Sequence, residues 1–216
     1  LERSDDHPYI KKGVRFTGPN KWPNQISDFK KHLVKYQSVC ADLGRKIVPL
    51  YALALGKPMD FFDDYFKEPI MWTRNAHYPP VKAEENQFGI SPHSDHSFLS
   101  ILPFSEVPGL EVLTPQGNWL PADPVEGGII INTGEFLNLW SNGRFIASPH
   151  RVIAPDRDRI SMATFFDAAP DTIANPADFA KKGEELKYDA VSMIDYVCWY
   201  IDRNYSSKAG GKQEGI

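Results

Sequence analysis

The chain has 216 residues, 42% hydrophobic and 12% aromatic, which is enough to bury the core of one globular domain of two packed layers and too little for a second full domain. Its formal charge of −4 arises from interspersed acids and bases, and the densest basic stretches are pairs (Lys11-Lys12, Lys30-Lys31, Lys181-Lys182), so neither a nucleic-acid footprint nor a polybasic membrane patch is visible. No apolar run approaches the roughly 18 residues of a membrane span. Cys40 and Cys198 lie far apart without Cys-x-x-Cys or finger spacing and read as reduced, core-filling thiols. We therefore expect a cytoplasmic protein with no obligate protein partner. It starts at Leu1 rather than Met, and its natural N-terminal segment is expected to be missing.

In chain order, residues 1–23 are irregular, with turns at Gly13, Gly18-Pro19-Asn20 and Trp22-Pro23. From Asn24, a candidate N-cap, apolar residues recur at spacings of three and four (Ile26, Phe29, Leu33, Tyr36, Cys40, Leu43, Ile47, Leu50, Ala54), which predicts a long helix packed on the core. Pro49 should kink or break it and Gly56 should end it. Asp60 is expected to cap a short second helix through Phe66. After Pro69 the pattern predicts short strands at 70–78, 88–95, 98–103, 110–114, 118–120, 128–132, 135–140, 145–152 and 159–167. Their close spacing, without helices between them, points to an antiparallel sandwich or barrel. A C-terminal helix is expected over 189–205, and the tail from Ser206 is polar and Gly-rich. The whole, 1–216, reads as a single domain with a β core at about 69–170 and helical support at about 24–66 and 189–205.

Chemistry concentrates in Ser91-Pro92-His93-Ser94-Asp95-His96. On a strand, His93 and Asp95 would share a face and could grip one ion, whereas His96 would point away. A further imidazole would complete a 2-His-1-carboxylate set, the arrangement of non-haem Fe(II) oxygenases, and His150 in a later strand-like segment is the most economical choice. Beyond it, Arg159 and Ser161 alternate onto one face with Phe165 and Asp167. An Arg beside a Ser suits a small carboxylate, because the guanidinium fork matches its geometry. His7, His32 and His77 lack such company and read as structural or exposed.

Taken together, His93-x-Asp95, His150, Arg159-x-Ser161, Tyr78-Pro79-Pro80, Pro108-Gly109-Leu110, Asn132-x-Gly134 and Ser141-Asn142-Gly143 resemble the 2-oxoglutarate-dependent Fe(II) dioxygenase superfamily. The likeness is to the branch of isopenicillin N synthase and the plant oxygenases, from about Gly18 to Tyr205. It implies a mainly β protein with flanking α, a double-stranded β-helix (jelly-roll) core between a long N-terminal helix region and a C-terminal helix. It further implies iron at His93, Asp95 and His150, with Arg159 and Ser161 on the distal carboxylate of 2-oxoglutarate and Tyr78 reaching toward that cosubstrate. The Asn often found two residues before this Tyr is replaced by Ala76. Phe165 and Asp167 match positions that face the substrate in some relatives, and Arg74 shares the strand face of Tyr78. The implied reaction uses O2 and 2-oxoglutarate to hydroxylate a C–H bond of a small molecule, releasing succinate and CO2. An oxidase or cyclase that dispenses with 2-oxoglutarate is the alternative within the enzymes, and a non-catalytic β-helix binding protein the alternative outside them.

Overall fold

The architecture is a computed structural model that describes residues 3–205, so the expected polar tail from Ser206 lies outside the described residues. A short helix α1 (Pro8–Lys11) precedes the long helix α2 (Phe29–Ala54). The strands follow as β1 (Ile70–Tyr78), β2 (Phe88–His93), β3 (Leu99–Pro103), β4 (Leu110–Leu113), β5 (Trp119–Pro121), β6 (Ile129–Thr133), β7 (His150–Ile153) and β8 (Arg159–Asp167), with helix α3 (Glu135–Trp140) before β7. They pair as two antiparallel four-stranded sheets, ordered β1-β8-β3-β6 and β2-β7-β4-β5. This is the expected mainly β, double-stranded β-helix fold. After it come a two-residue pair, β9 (Ile173–Ala174) with β10 (Val191–Ser192), and helix α4 (Met193–Tyr205). Among the described residues, no helix is long and apolar enough to cross a membrane.

The period of two sorts each strand between two environments. On β8, Arg159, Ser161, Ala163 and Phe165 line a cavity, while Phe166 packs into the main core. On β3, Ser100 and Leu102 face the cavity and Leu99 and Ile101 the core. Helix α2 covers that outer face with small residues, Cys40, Ala41, Gly44, Val48 and Ala52. A Cβ on Gly44 would lie 2.9 Å from the Phe166 ring, so glycine there sets how closely helix and sheet approach. An aromatic cluster of Phe62, Phe66, Phe98, Trp140 and Phe166 fills the space between α2, the sheet and the C-terminal part; Phe66 and Phe166 stack at 5.2 Å.

Several expectations need correction. Helix α2 starts at Phe29 rather than after Asn24, because Ile26 is 55% exposed and buries nothing that would reward another turn. It also runs unbroken through Pro49, whose flanking residues Val48 and Ala52 are anchored in the core. Gly56 does end the segment, at φ +74°, as Lys57 N–H donates to Ala52 O and Gly56 N–H to Leu53 O. Asp60 caps no helix; a 3₁₀ turn over Asp63–Phe66 stands there. The strand expected over 135–140 is helix α3, with Phe136, Leu137 and Trp140 buried at helical spacing. The strand expected over 145–152 begins only at His150, because Phe145 N–H is taken by Ser141 Oγ and Pro149 has no N–H. Helix α4 starts at Met193, not Asp189; Ser192 caps it, its Oγ accepting from Asp195 N–H at 3.1 Å.

Candidate metal centre and ligand cavity

Three side chains converge at one end of the space between the sheets. His93 closes β2 and His150 opens β7, and the two face each other as a cross-strand pair with ring centroids 4.4 Å apart. Simple alternation would set His93 opposite in facing to Ile90. A register shift between Ile90 and His93 places two residues, Ser91 and Pro92, against one on β7 and turns His93 inward. Asp95 is not on the strand at all: β2 stops at His93, and the chain bends so that Asp95 returns to the same point. The convergence was read correctly from the sequence, but its cause is a bulge and a bend rather than a shared strand face.

Asp95 Oδ1 lies 3.9 Å from His93 Nε2 and 3.5 Å from His150 Nε2, and one donor atom from each residue falls within 4.8 Å of the others. Neighbouring ligands on an octahedral ion stand about 3 Å apart, given bonds of roughly 2.1 Å at right angles. The set therefore fits a single cation after a small contraction. Each imidazole is oriented in the same way, with Nδ1 against the carbonyl two residues earlier: Ser91 O at 2.9 Å for His93 and Ser148 O at 3.2 Å for His150. An Nδ1–H donated there leaves the Nε2 lone pair for the ion. Both histidines sit in the same tripeptide, Ser-Pro-His, a repeat visible in the sequence whose purpose only this geometry reveals. Burial, followed by the neighbouring His150, lowers the pKa of His93 and favours the neutral ligand form.

The carboxylate is held as firmly. Asp95 is 7% exposed, and its Oδ2 accepts from Ser100 Oγ at 2.5 Å and Asn132 Nδ2 at 2.7 Å, leaving Oδ1 for a cation. Ser100 had no place in the sequence reading, although a serine on the cavity face of an apolar strand was its signal. Asn132 belonged to a motif to which no role was attached. The same motif's Gly134 is now explained: a Cβ there would lie 2.0 Å from Ser97 O, so only glycine lets α3 follow β6 past the 95–98 bend.

From the three ligands, a cavity of about 80 Å³ extends along the inner face of the β1-β8-β3-β6 sheet. Its walls are mostly apolar, with Ile90, Leu102, Leu110 and Val152 among them. β1 and β8 contribute facing pairs: Tyr78 with Arg159, Ala76 with Ser161, and Arg74 with Ala163. Arg159 is 3% exposed; its Nε donates to Val107 O at 3.1 Å, and its guanidinium lies 5.0 Å from the Tyr78 ring centre. Its buried Nη1 has no hydrogen-bond partner. Burial pulls its pKa down, yet a guanidinium stays charged at any physiological pH, so an unmatched cationic donor faces the cavity. Tyr78 Oη and Ser161 Oγ stand 3.5 Å apart beside it. Gly89 makes room for Tyr78, whose ring would be 2.9 Å from a Cβ at that position.

Other expected residues fall out differently. Phe165 and Arg74 line the cavity. Asp167 shares their parity but is fully buried beyond the cavity's end, where its Oδ1 accepts from Phe98 N–H at 2.7 Å; substrate contact is not available to it. His96 points away from the triad as expected, and packs against Trp72, Phe165 and Tyr200. His77 pairs with Asp158 at 2.7 Å on the surface, and His7 accepts from Tyr9 N–H at 3.2 Å at the start of α1. Cys40 and Cys198 are free thiols.

Comparison with known proteins agrees with this geometry. Residues 69–168 match the model of the 2OG-Fe(II) oxygenase superfamily. A 2-oxoglutarate-Fe(II) type oxidoreductase, hxnY, of Emericella nidulans is 31% identical over 218 aligned residues, covering 97% of this chain and 62% of that protein. A homoarginine-6-hydroxylase of Arabidopsis thaliana is 32% identical over 178 residues, covering 81% of this chain and 50% of that one. Among solved structures, a full-length Neurospora crassa protein in complex with alpha-KG superposes with a TM-score of 0.79 at 25% identity, over 94% of this chain and 64% of that one. The chain thus spans between half and two thirds of the length of these relatives.

Proposed function

The chain belongs to the 2OG-Fe(II) oxygenase superfamily, and from that premise we propose that it hydroxylates a C–H bond of a small organic molecule, using dioxygen and 2-oxoglutarate and releasing succinate and carbon dioxide. His93 Nε2, Asp95 Oδ1 and His150 Nε2 hold Fe(II), and bound ferrous iron supplies the activation of dioxygen that the organic side chains lack. Arg159, with Ser161 and Tyr78, takes the distal carboxylate of 2-oxoglutarate. Ser100 and Asn132 keep Asp95 aimed with one oxygen free. The apolar walls exclude water from the reacting groups, and Phe165 offers a face to the substrate. The reading takes residues 1–216 as one oxygenase domain, with α2 and α4 as supports for the β core.

One observation carries this proposal: a buried arginine with an unpartnered donor shares a small cavity with a three-residue cation site. A carboxylate bound there would satisfy Nη1, whose burial is otherwise costly. The relatives' names, which specify 2-oxoglutarate, weigh against an oxidase that does without it. The intact ligand set weighs against a non-catalytic binder. A cytoplasmic location belongs to the same reading, supported by two cysteines that remain thiols. The test is a screen of small molecules with Fe(II) and 2-oxoglutarate, following succinate and oxygen together. Succinate formed in step with oxygen uptake is expected; oxygen uptake and product without succinate would overturn the assignment.

A further inference from the structure

When the three metal ligands and the Arg159 group are set aside, one charged side chain on the cavity wall has no assigned task. Arg74 lines the cavity from β1, and among the described residues it has no ion pair or hydrogen bond. Its cross-strand partner is Ala163, whose small side chain leaves the guanidinium free to lie over the sheet face. The next pair along is Trp72 with Phe165, of which Phe165 lines the cavity.

Spacing separates Arg74 from the cosubstrate. Arg159 pairs with Tyr78 and Arg74 with Ala163, so the backbone positions of the two arginines are four residues apart along the sheet, roughly 13 Å at about 3.3 Å per residue. A five-carbon diacid spans only about 5 Å between its carboxyl carbons, four bonds of roughly 1.5 Å in zigzag. The backbone positions of the two arginines thus stand farther apart than the carboxyl groups of such a molecule. The metal ligands lie on the wall of the same cavity as this second cation.

Resting on the reading above, we propose that Arg74 anchors an acidic group of the oxidised substrate, which is therefore a small organic acid whose apolar body lies along Ala163 and Phe165. Arg74 is exposed at the cavity's edge, so it can pair with an acidic group there through charged hydrogen bonds that a neutral analogue cannot match. Arginine suits a planar carboxylate better than lysine would, since it donates two parallel hydrogen bonds.

The test measures binding rather than turnover. Protein loaded anaerobically with Fe(II) and 2-oxoglutarate is titrated calorimetrically with hexanoate, 3-phenylpropionate and 4-phenylbutyrate, each compared with its primary amide. At least one acid should bind roughly threefold to tenfold more tightly than its amide. Arg74→Leu should abolish that preference and Arg74→Lys should keep part of it, while 2-oxoglutarate affinity stays as in the wild type in both. Equal binding of every acid and its amide to the wild type would overturn the proposal, as would an acid preference that survives in Arg74→Leu. A loss of 2-oxoglutarate affinity in Arg74→Leu equal to that in Arg159→Leu would also overturn it, placing Arg74 with the cosubstrate. Failure of 2-oxoglutarate to bind the wild type at all would instead strike the reading on which the proposal rests.

Discussion

Asp95 can offer a cation one oxygen in a fixed direction because its other oxygen already accepts two hydrogen bonds. Removing one of them by Asn132→Ala should lower Fe(II) affinity by about tenfold to a hundredfold, read by competition with a chromogenic chelator. His150→Ala should abolish metal binding and turnover while the metal-free protein keeps its melting temperature to within a few degrees, since His150 contributes a ligand and little core. A large fall in that temperature would contradict this division of labour. At this scale the sequence was informative about which residues meet: that His93, Asp95, His150, Arg159 and Ser161 share one cavity was legible from identity and order. Asp167 was misjudged because alternation predicts the direction of a side chain but not where a cavity ends. Ser100 was passed over because a lone serine resembles any other serine until its partner is known.

Elements meet here at positions where only glycine fits. Gly134→Ala would drive a Cβ into the Ser97 carbonyl, and Gly44→Ala would press one into Phe166. The first clash is with backbone that also positions Asp95, so it should cost about 3 kcal/mol and weaken metal binding too; the second meets a side-chain ring and should cost about 1–3 kcal/mol with metal affinity unchanged. Denaturant midpoints and chelator competition on both variants separate these outcomes. The long strands β1 and β8 and the end of α2 at Gly56 followed from pattern and turn chemistry. Helix α3 did not, because six residues with Phe136, Leu137 and Trp140 inward look as strand-like as they do helical, and tertiary burial decides. The bulge that turns His93 inward was equally hidden: its existence depends on the register of β7, which lies far away in sequence.

Across the whole molecule, the β1-β8-β3-β6 sheet separates two environments, with an aromatic core on the helix side and the cavity on the other. Asp167 sits at the junction, and complete burial raises its pKa from 3.8 to about 7. Between about pH 4 and 7 the folded chain thus keeps a proton that the unfolded chain has released. This contribution to stability is full below pH 4 and is lost as pH rises toward 7. Buried His96, whose pKa is pushed down to about 4, acts in the opposite sense over nearly the same range; Asp167→Asn, which keeps an acceptor for Phe98 N–H, should therefore make the stability of the metal-free protein rise more steeply with pH there than in the wild type. Glu184, held down to about 2 by Lys181 N–H and Arg144, acts in the opposite sense and at lower pH, so it does not obscure the window. The central claim is that one cavity unites a ferrous site with a carboxylate clamp. Anaerobic calorimetric titration of 2-oxoglutarate into the Fe(II)-loaded protein tests it most directly. One equivalent should bind, and Arg159→Leu should weaken it by about 1.5–3 kcal/mol for each charged hydrogen bond removed; an affinity unchanged in Arg159→Leu would contradict the account.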